Sequence, residues 1–585
     1  MGRLNLMELL AANLLIILCL GPASILAQCP PIAAPCTCAP SVYEPVSIIC
    51  DNAGSLPNAI RAIATARDIQ IDSLTIRNTP ISRLGAYAFQ GFSIIRLVLN
   101  RNTMSDIDPQ AFEGPLIESL LELDLRDNQL GRIPTRGVPR LRSLRKLYLN
   151  RNRIQRVPGN VFAQYESRDM LLKLDLSGNQ ITNAGLSTNP FAQLSNLEEL
   201  SLEANQIVRI PSEALRPLRR KLKDLNLGLN NITNVAPGEL DHPNLQSLSL
   251  EFNGISRIPA EAFRQVPNLL YLYITGNKFP AWDPNMFRYI SRLQILGIGE
   301  TPIPTIPANA FVNIRGLKRL EMSEAAVNTI ERGAFQQTPE IEVIVLNKNR
   351  LQSIRADMFQ GLSQLYSLDL QGNRLAFVED FAWARLPSLR HLDISSNLLQ
   401  TLSPNTFFET FLPTADVRTL FICDNPWVCD QRLAWFRQWL RDNIDIQIDK
   451  PGCLAVCVAP AWFPPNWPIR NPDPIFSTAL PPTAAPIFRS ASSIPFWIIL
   501  AIILAILLTS ICVLGIVRFF VSRRRKKYKD EEEEEEQRII SSTASGYHPT
   551  ASVAGSAYPG YPASAIDIDL PPANSLDDRP NYFTY

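Results

Sequence analysis

The chain has 585 residues, with 56 lysines and arginines against 55 aspartates and glutamates. That length allows several domains, and a net charge of +1 gives no global pull toward nucleic acid.

Residues 1–27 read as a secretory signal. Arg3 supplies the positive start, "LLAANLLIILCL" the apolar run, and Ala27 a small residue before the cut. "MGRLNL" carries Leu6 where a myristoylation signal needs Ser or Thr. Beyond Cys19 in the signal, four cysteines follow closely: Cys29, Cys36, Cys38 and Cys50. A second four, Cys423, Cys429, Cys453 and Cys457, stand some 370 residues further on, which leaves only Cys512. An even count in a secreted segment reads as disulfides. Four thiolates could also bind zinc, and the oxidising compartment favours disulfides. Each group flanks one end of the long segment between them, so pairing is expected within groups.

Between those groups one pattern recurs. In "LPSLRHLDISSNLLQTL" (386–402), apolar Leu389, Leu392 and Ile394 stand three and then two apart, and Asn397 follows three later. Neither helical nor strand alternation accounts for this spacing. The leading apolar residue recurs at Ile71, Ile94, Leu120, Leu144, Leu171, Leu197, Leu222, Leu245, Leu269, Leu293, Leu317, Ile341, Leu365, Leu389 and Val417. Every step from Leu245 to Leu389 is 24 residues, and elsewhere the steps run from 23 to 28. A fixed period in this range indicates a solenoid, and L-x-x-L-x-L-x-x-N resembles the leucine-rich repeat.

That resemblance implies an α/β repeat fold: a leucine-rich-repeat solenoid, a right-handed horseshoe with a parallel concave sheet, over residues 71–416. Fifteen strands about 4.8 Å apart give an inner arc of roughly 70 Å. Inner leucines fill the core, and the residues between them face outward. A buried Asn carries both donors and an acceptor, so it can satisfy the backbone where the chain bends away from each strand. Asn holds that position at 102, 128, 152, 179, 205, 230, 253, 277, 349, 373, 397 and 425, while Thr79, Thr301 and Ala325 depart from it. Alanine has no amide, so irregularity is expected near Ala325. On the opposite side, "IP…AF" segments place a phenylalanine to close the core.

A solenoid needs caps at both ends. "CPPIAAPCTC" with Cys50 resembles the N-terminal cysteine cap of extracellular leucine-rich-repeat proteins and delimits 28–70. "NPWVCDQRLAWFRQWL" resembles the start of their C-terminal cap, placed at 417–457, with Leu433, Phe436 and Leu440 on one helical face. Gln431 stands where that family has a second cysteine, and the resemblance implies that Cys423 replaces it.

Residues 458–493 are proline-dense and predict an extended stalk. Ile494–Val517 is 24 residues without a charge, enough at about 1.5 Å per residue to span a bilayer core of roughly 30 Å. Basic Arg523–Lys529 places the C-terminus inside the cell. The expected topology is single-pass type I in the plasma membrane, N-terminus extracellular. Residues 518–585 read as a disordered cytoplasmic tail. Tyr547, Tyr558, Tyr561, Tyr582 and Tyr585 are candidates for phosphorylation or adaptor binding, and the terminal "FTY" could enter a PDZ-type groove. One glycosylation sequon, Asn231-Ile232-Thr233, follows a ladder position, which turns Asn231 outward.

No nucleophile, metal or phosphate-loop motif stands out, and the sequence implies no cofactor. The reading is of a binding protein, not an enzyme. Its partner would be an extracellular protein or matrix ligand, not nucleic acid. The architecture resembles transmembrane proteins built of leucine-rich repeats alone, which implies adhesion or receptor recognition, or alternatively organisation of apical extracellular matrix in epithelia. Outward positions are often basic early on (Arg96, Arg126, Lys146 and Lys173, with Arg101 and Arg151). They turn acidic at Glu199, Glu203, Asp224 and Glu251. Then an apolar group appears: Phe252, Tyr271, Tyr273, Ile295, Val343 and Val345, with Gly297 and Gly299 leaving room beside it. Grouped exposed aromatics are the mark of an interface centre, and Phe252, Tyr271, Tyr273 and Ile295 are the expected core of the ligand face. Branched and aromatic residues also simply suit strands.

Overall fold

A computed structural model describes residues 29–473, except 385, 412, 415 and 460–462. These lie within the unit Ser24–Pro482; the chain's other unit, Met1–Ala23 with Thr483–Tyr585, lies outside the described residues. The expected signal segment, membrane span and cytoplasmic tail with its tyrosines therefore also lie outside them. Among the described residues no helix is long and apolar enough to cross a membrane.

Seventeen strands form one sheet. The first pair, Cys36–Cys38 with Ser47–Asp51, is antiparallel. Every later neighbour is parallel, from Ser47–Asp51 against Gln70–Arg77 to His391–Asp393 against Thr419–Phe421. The fifteen strands that follow the hairpin fall at the fifteen repeats of the sequence. Most are three residues long because only the x-L-x segment about the second leucine of the pattern is straight. Its central leucine points inward: Leu248, Leu272 and Leu296 are fully buried and stand side by side in register.

The chain leaves each strand by a bend built on asparagine. Asn277 is typical. Its Oδ1 accepts the Ile255 N–H at 3.0 Å, and its Nδ2 donates to the carbonyls of Leu250 and Ile274, both at 2.9 Å. One side chain thereby satisfies buried groups of two successive repeats. The residue before each ladder position is left-handed, whether or not it is glycine: Arg151, Leu229, Phe252 and Lys348 have φ from 50° to 53°, and Gly178, Gly276 and Gly372 occupy the same place. Side chains at φ > 0 are costly, so the ladder's hydrogen bonds must offset that strain in every repeat.

Ala325 shows what happens without the amide. The Ile303 N–H is shared between the Thr301 carbonyl of its own repeat at 2.8 Å and the Ala325 backbone carbonyl at 3.0 Å. To aim that carbonyl the chain adds a second left-handed residue, Ala326 at φ 61°, after Glu324 at 55°. This is the expected irregularity. Away from the sheet, Phe311, Phe335, Phe359 and Trp383 stack in sequence, with ring centroids 5.3, 5.9 and 6.0 Å apart.

Disulfides close both ends: Cys29–Cys38 and Cys36–Cys50 at the first, Cys423–Cys453 and Cys429–Cys457 at the second. The helix Ala434–Asp442 and the turn before it bury Leu433, Phe436 and Leu440 against the last repeat. Beyond the last strand, the Leu420 N–H donates to Gln447 and the Gln447 N–H to Arg418, at 2.8 and 3.0 Å. The sheet edge is therefore paired, which removes a template for aggregation.

Two boundaries differ from the sequence reading. Val417, expected as the inward leading residue of the last repeat, is 70% exposed, and Arg418 is buried in its place. The Arg418 guanidinium reaches the Phe411 carbonyl and the Asp445 carboxylate, so a charged side chain closes this turn by satisfying its own donors. The stalk was expected to begin at Val458, but the cap runs to Asp473. Strand Val456–Ala459 pairs with Trp467–Pro468, and Ile469 is fully buried. The reason is Arg437 on the cap helix: nearly buried, it needs acceptors, and it finds them in the Ile469 carbonyl and Asp473.

Candidate protein-binding face

Each strand presents two outward side chains flanking its central leucine, and a third just beyond it. Register then fixes neighbours. Ser247, Tyr271, Ile295, Arg319 and Val343 form one row; Ser249, Tyr273, Gly297, Glu321 and Val345 form the next.

Tyr271, Tyr273 and Ile295 are half-buried on two adjacent strands, and Phe252 leaves the strand before them. Tyr271, Tyr273 and Ile295 are neighbours in register, and Phe252 lies against Gly276, three residues beyond Tyr273. Val343 and Val345 do not join them: the strand Arg319–Glu321 stands between, and Arg319 is paired with Glu321 at 2.6 Å. A charged pair thus divides the six residues, and sequence reasoning passed over it although both occupy outward positions of the same register. The expected room beside Gly297 and Gly299 is also filled. The Tyr273 ring leans over Gly297, where a Cβ would stand 3.0 Å from its Cδ1, and Gly299 packs against the Ser323 backbone. Burial and the nearby Glu321 and Glu251 carboxylates push the Tyr273 phenol up to about 12, so it stays neutral.

The early basic residues are not a bare positive stripe. Arg96 pairs with Glu44 and Glu122, Arg126 with Asp124, Lys173 with Glu199, and Arg151 with Asp127, at 3.1, 2.8, 2.7, 2.7 and 3.5 Å. Lys146 lies 3.6 Å from Glu122. Arg101 is exposed and within electrostatic reach of Asp51. Of the partnering acids, Glu122, Asp124 and Glu199 sit in the same outward rows, and counting them would have found most of the neutralisation.

The acidic stretch behaves differently. Glu199 has Lys173, but Glu203, Asp224 and Glu251 have no ion pair among the described residues. Burial raises the pKa of all three above the usual carboxylate range. Glu203 accepts a hydrogen bond from the Asn226 amide at 3.0 Å, and Ser249 lies 3.4 Å from Glu251.

At the far end, His391 hydrogen-bonds Tyr366 at 2.7 Å and Thr419 at 2.8 Å, and burial lowers its pKa. Lys450, from the cap, pairs with Asp393 and lies over the Phe421 ring, 5.2 Å from its centroid. The cap therefore covers the last strands, leaving the middle of the sheet face as its open part. No sequence signal pointed to Lys450. His242 is buried, with Nε2 3.1 Å from the Leu215 carbonyl. Asn230 is buried in the ladder, and Asn231 and Thr233 are exposed.

The family described as leucine rich repeat matches residues 118–181, 142–207, 243–303, 315–375 and 363–410. Over those residues the chain is similar to that family, and disulfide-bonded caps stand at both ends of its repeats. The chain is 31% identical to human podocan-like protein 1 over 189 residues, 32% of each chain. It is 32% identical to lumican of Gallus gallus over 164 residues, 28% of this chain and 44% of that one. These matches span between a third and a half of the curated relatives' length. A leucine-rich-repeat protein of Leptospira interrogans shares the fold, with a TM-score of 0.50 at 20% identity, over 67% of this chain and 98% of that one.

Proposed function

We propose that this protein is a single-pass plasma-membrane protein whose extracellular solenoid binds a protein ligand for adhesion or receptor recognition, through Phe252, Tyr271, Tyr273 and Ile295. The observation that supports the reading is the adjacency of Tyr271, Tyr273 and Ile295 on neighbouring strands, with Phe252 against Gly276 of the tyrosines' repeat. Aromatic side chains offer large contact area at little entropic cost and dominate interface centres. Ile494–Val517 would anchor the solenoid, and the tail tyrosines would offer a cytoplasmic adaptor site. A matrix-organising role is the second reading, and similarity to lumican and podocan-like protein 1 favours it.

The test uses the full-length chain, tagged at its C-terminus, in epithelial cells. The tag should stain only after permeabilisation. Cells bearing the protein should attach to neighbouring cells or to deposited matrix, and Tyr271→Ala with Tyr273→Ala should abolish that gain at unchanged surface level. Attachment to cells alone identifies adhesion; attachment to matrix under the apical surface identifies the organiser. Unchanged attachment by the double variant would remove the face.

A further inference from the structure

Along most of the sheet, outward carboxylates carry their own cation. Glu122 has Arg96, Asp124 has Arg126, Glu321 has Arg319, and Asp393 has Lys450. Asp175 and Asp369 lack a cation but each accepts a backbone N–H two residues on, both at 2.9 Å. Glu203, Asp224 and Glu251 have neither. They lie on or just beyond three successive strands, Glu199–Ser201, Asp224–Asn226 and Ser247–Ser249, and the strand that follows is Tyr271–Tyr273. Three carboxylates partly withdrawn from water, none of them in an ion pair among the described residues, thus approach the aromatic group: Glu251, Asp224 and Glu203 belong to the first, second and third strands before Tyr271–Tyr273.

Between them the surface is low. Register puts Ser247 between Asp224 and Tyr271, and Ser249 between Asn226 and Tyr273. Two strand spacings separate Asp224 from Tyr271, about 10 Å. A ligand in the polyproline II conformation has three residues per turn and advances about 3.1 Å per residue, so its side chains three apart share a face and match that distance.

Resting on the reading that this face binds protein, we propose that the partner is a positively charged protein segment: its lysine or arginine side chains seat on Glu203, Asp224 and Glu251, and an apolar side chain packs on Tyr271 and Tyr273. A cation arriving here replaces water already partly lost, so the Coulombic gain is large for the additional desolvation. Phenol faces beside the carboxylates add a cation–π contribution. A polyanion, whether glycosaminoglycan or acidic lipid, would meet three like charges and be repelled.

The experiment measures fluorescence polarisation of nine-residue peptides added to the purified full-length chain in detergent. One probe is Arg-Pro-Pro-Leu-Pro-Pro-Arg-Pro-Pro, which sets Arg and Leu three apart, and the second has Glu in place of both Arg; heparin is the polyanion. The arginine probe should bind, and the glutamate probe and heparin should not. Glu203→Gln, Asp224→Asn and Glu251→Gln together keep side-chain shape and should weaken the arginine probe at least fivefold. An arginine probe that binds no better than the glutamate probe, or equally well to the triple variant, overturns the proposal. The same triple variant in the cell-attachment assay separates the two ideas. If it attaches normally while Tyr271→Ala with Tyr273→Ala does not, the face binds protein but not through cations, and only this inference falls. If both variants attach normally, both fall.

Discussion

The Phe252 ring lies against the backbone of Gly276 in the next repeat: a Cβ on Gly276 would stand 2.8 Å from the ring's Cε1. Both residues occupy the left-handed position before a ladder asparagine, at φ 50° and 70°. The side chain of one repeat is thus laid flat because the following repeat has none. Gly178 and Gly372 receive Arg151 and Lys348 in the same way, at 3.0 and 3.3 Å. Gly276→Ala should displace Phe252 and add left-handed strain of about 1–2 kcal/mol. The expected result is a secreted, folded protein with a slightly lower Tm and weakened cell or matrix attachment. Normal attachment would show that Phe252 is not part of the contact.

The asparagine ladder should be sensitive to single substitutions. Asn277→Ala strands the Ile255 N–H and the carbonyls of Leu250 and Ile274 in a buried seam. Each unsatisfied buried group costs about 1–3 kcal/mol, so a loss of about 3 kcal/mol or more is expected by denaturant titration. The Ala325 bend is the natural counter-example, since its own carbonyl takes over and the strain moves to Ala326. Ala326→Gly relieves that strain and should raise stability by about 0.5 kcal/mol, the difference between αL relief and added chain entropy.

The repeat was legible because one short period fixes strand, ladder and core together. An inward leucine, an outward pair and a buried asparagine recur at constant spacing, and packing leaves no other register. The ligand face was only half legible. Listing apolar residues brought Val343 and Val345 into the group, because spatial order across strands matters as much as type, and Arg319–Glu321 lies between. The buried arginines were not legible at all. Nothing in the sequence marks Arg418 and Arg437 as buried, yet each meets carbonyls that only the folded cap brings near. The pairing of Cys423 with Cys453 likewise depends on where the cap loop returns.

That disulfide should govern the far end of the face. Its cysteines are separated by 30 residues, and Lys450, three before Cys453, reaches back to Asp393 and Ser395. Cys423→Ser with Cys453→Ser should lower stability by about 3 kcal/mol through the loop closed in the unfolded chain. It should also release the Lys450 segment. Limited proteolysis with Lys-N, which cleaves on the amino side of lysine, would then cut ahead of Lys450 before any repeat is cleaved. An unchanged digestion pattern would mean that the sheet-edge hydrogen bonds of Gln447 hold the loop without the disulfide.

Stability should depend on pH through the uncompensated acids. Burial raises the pKa of Glu203, Asp224, Glu251 and Asp369 above the unfolded values. Where the folded pKa is the higher, the folded chain binds more protons, and stability falls as pH rises between the two values. Above the raised folded pKa the penalty is complete; below the ordinary carboxylate range it is gone. Glu203→Gln with Glu251→Gln removes two of these penalties. Because both side chains keep partial contact with water, the gain at neutral pH should be small, about 1 °C in Tm. The diagnostic is its pH dependence: the variant should exceed the parent at pH 7 and converge with it as pH drops into the carboxylate range. A variant less stable than its parent at pH 7 would mean that the Asn226 and Ser249 hydrogen bonds outweigh the burial of charge.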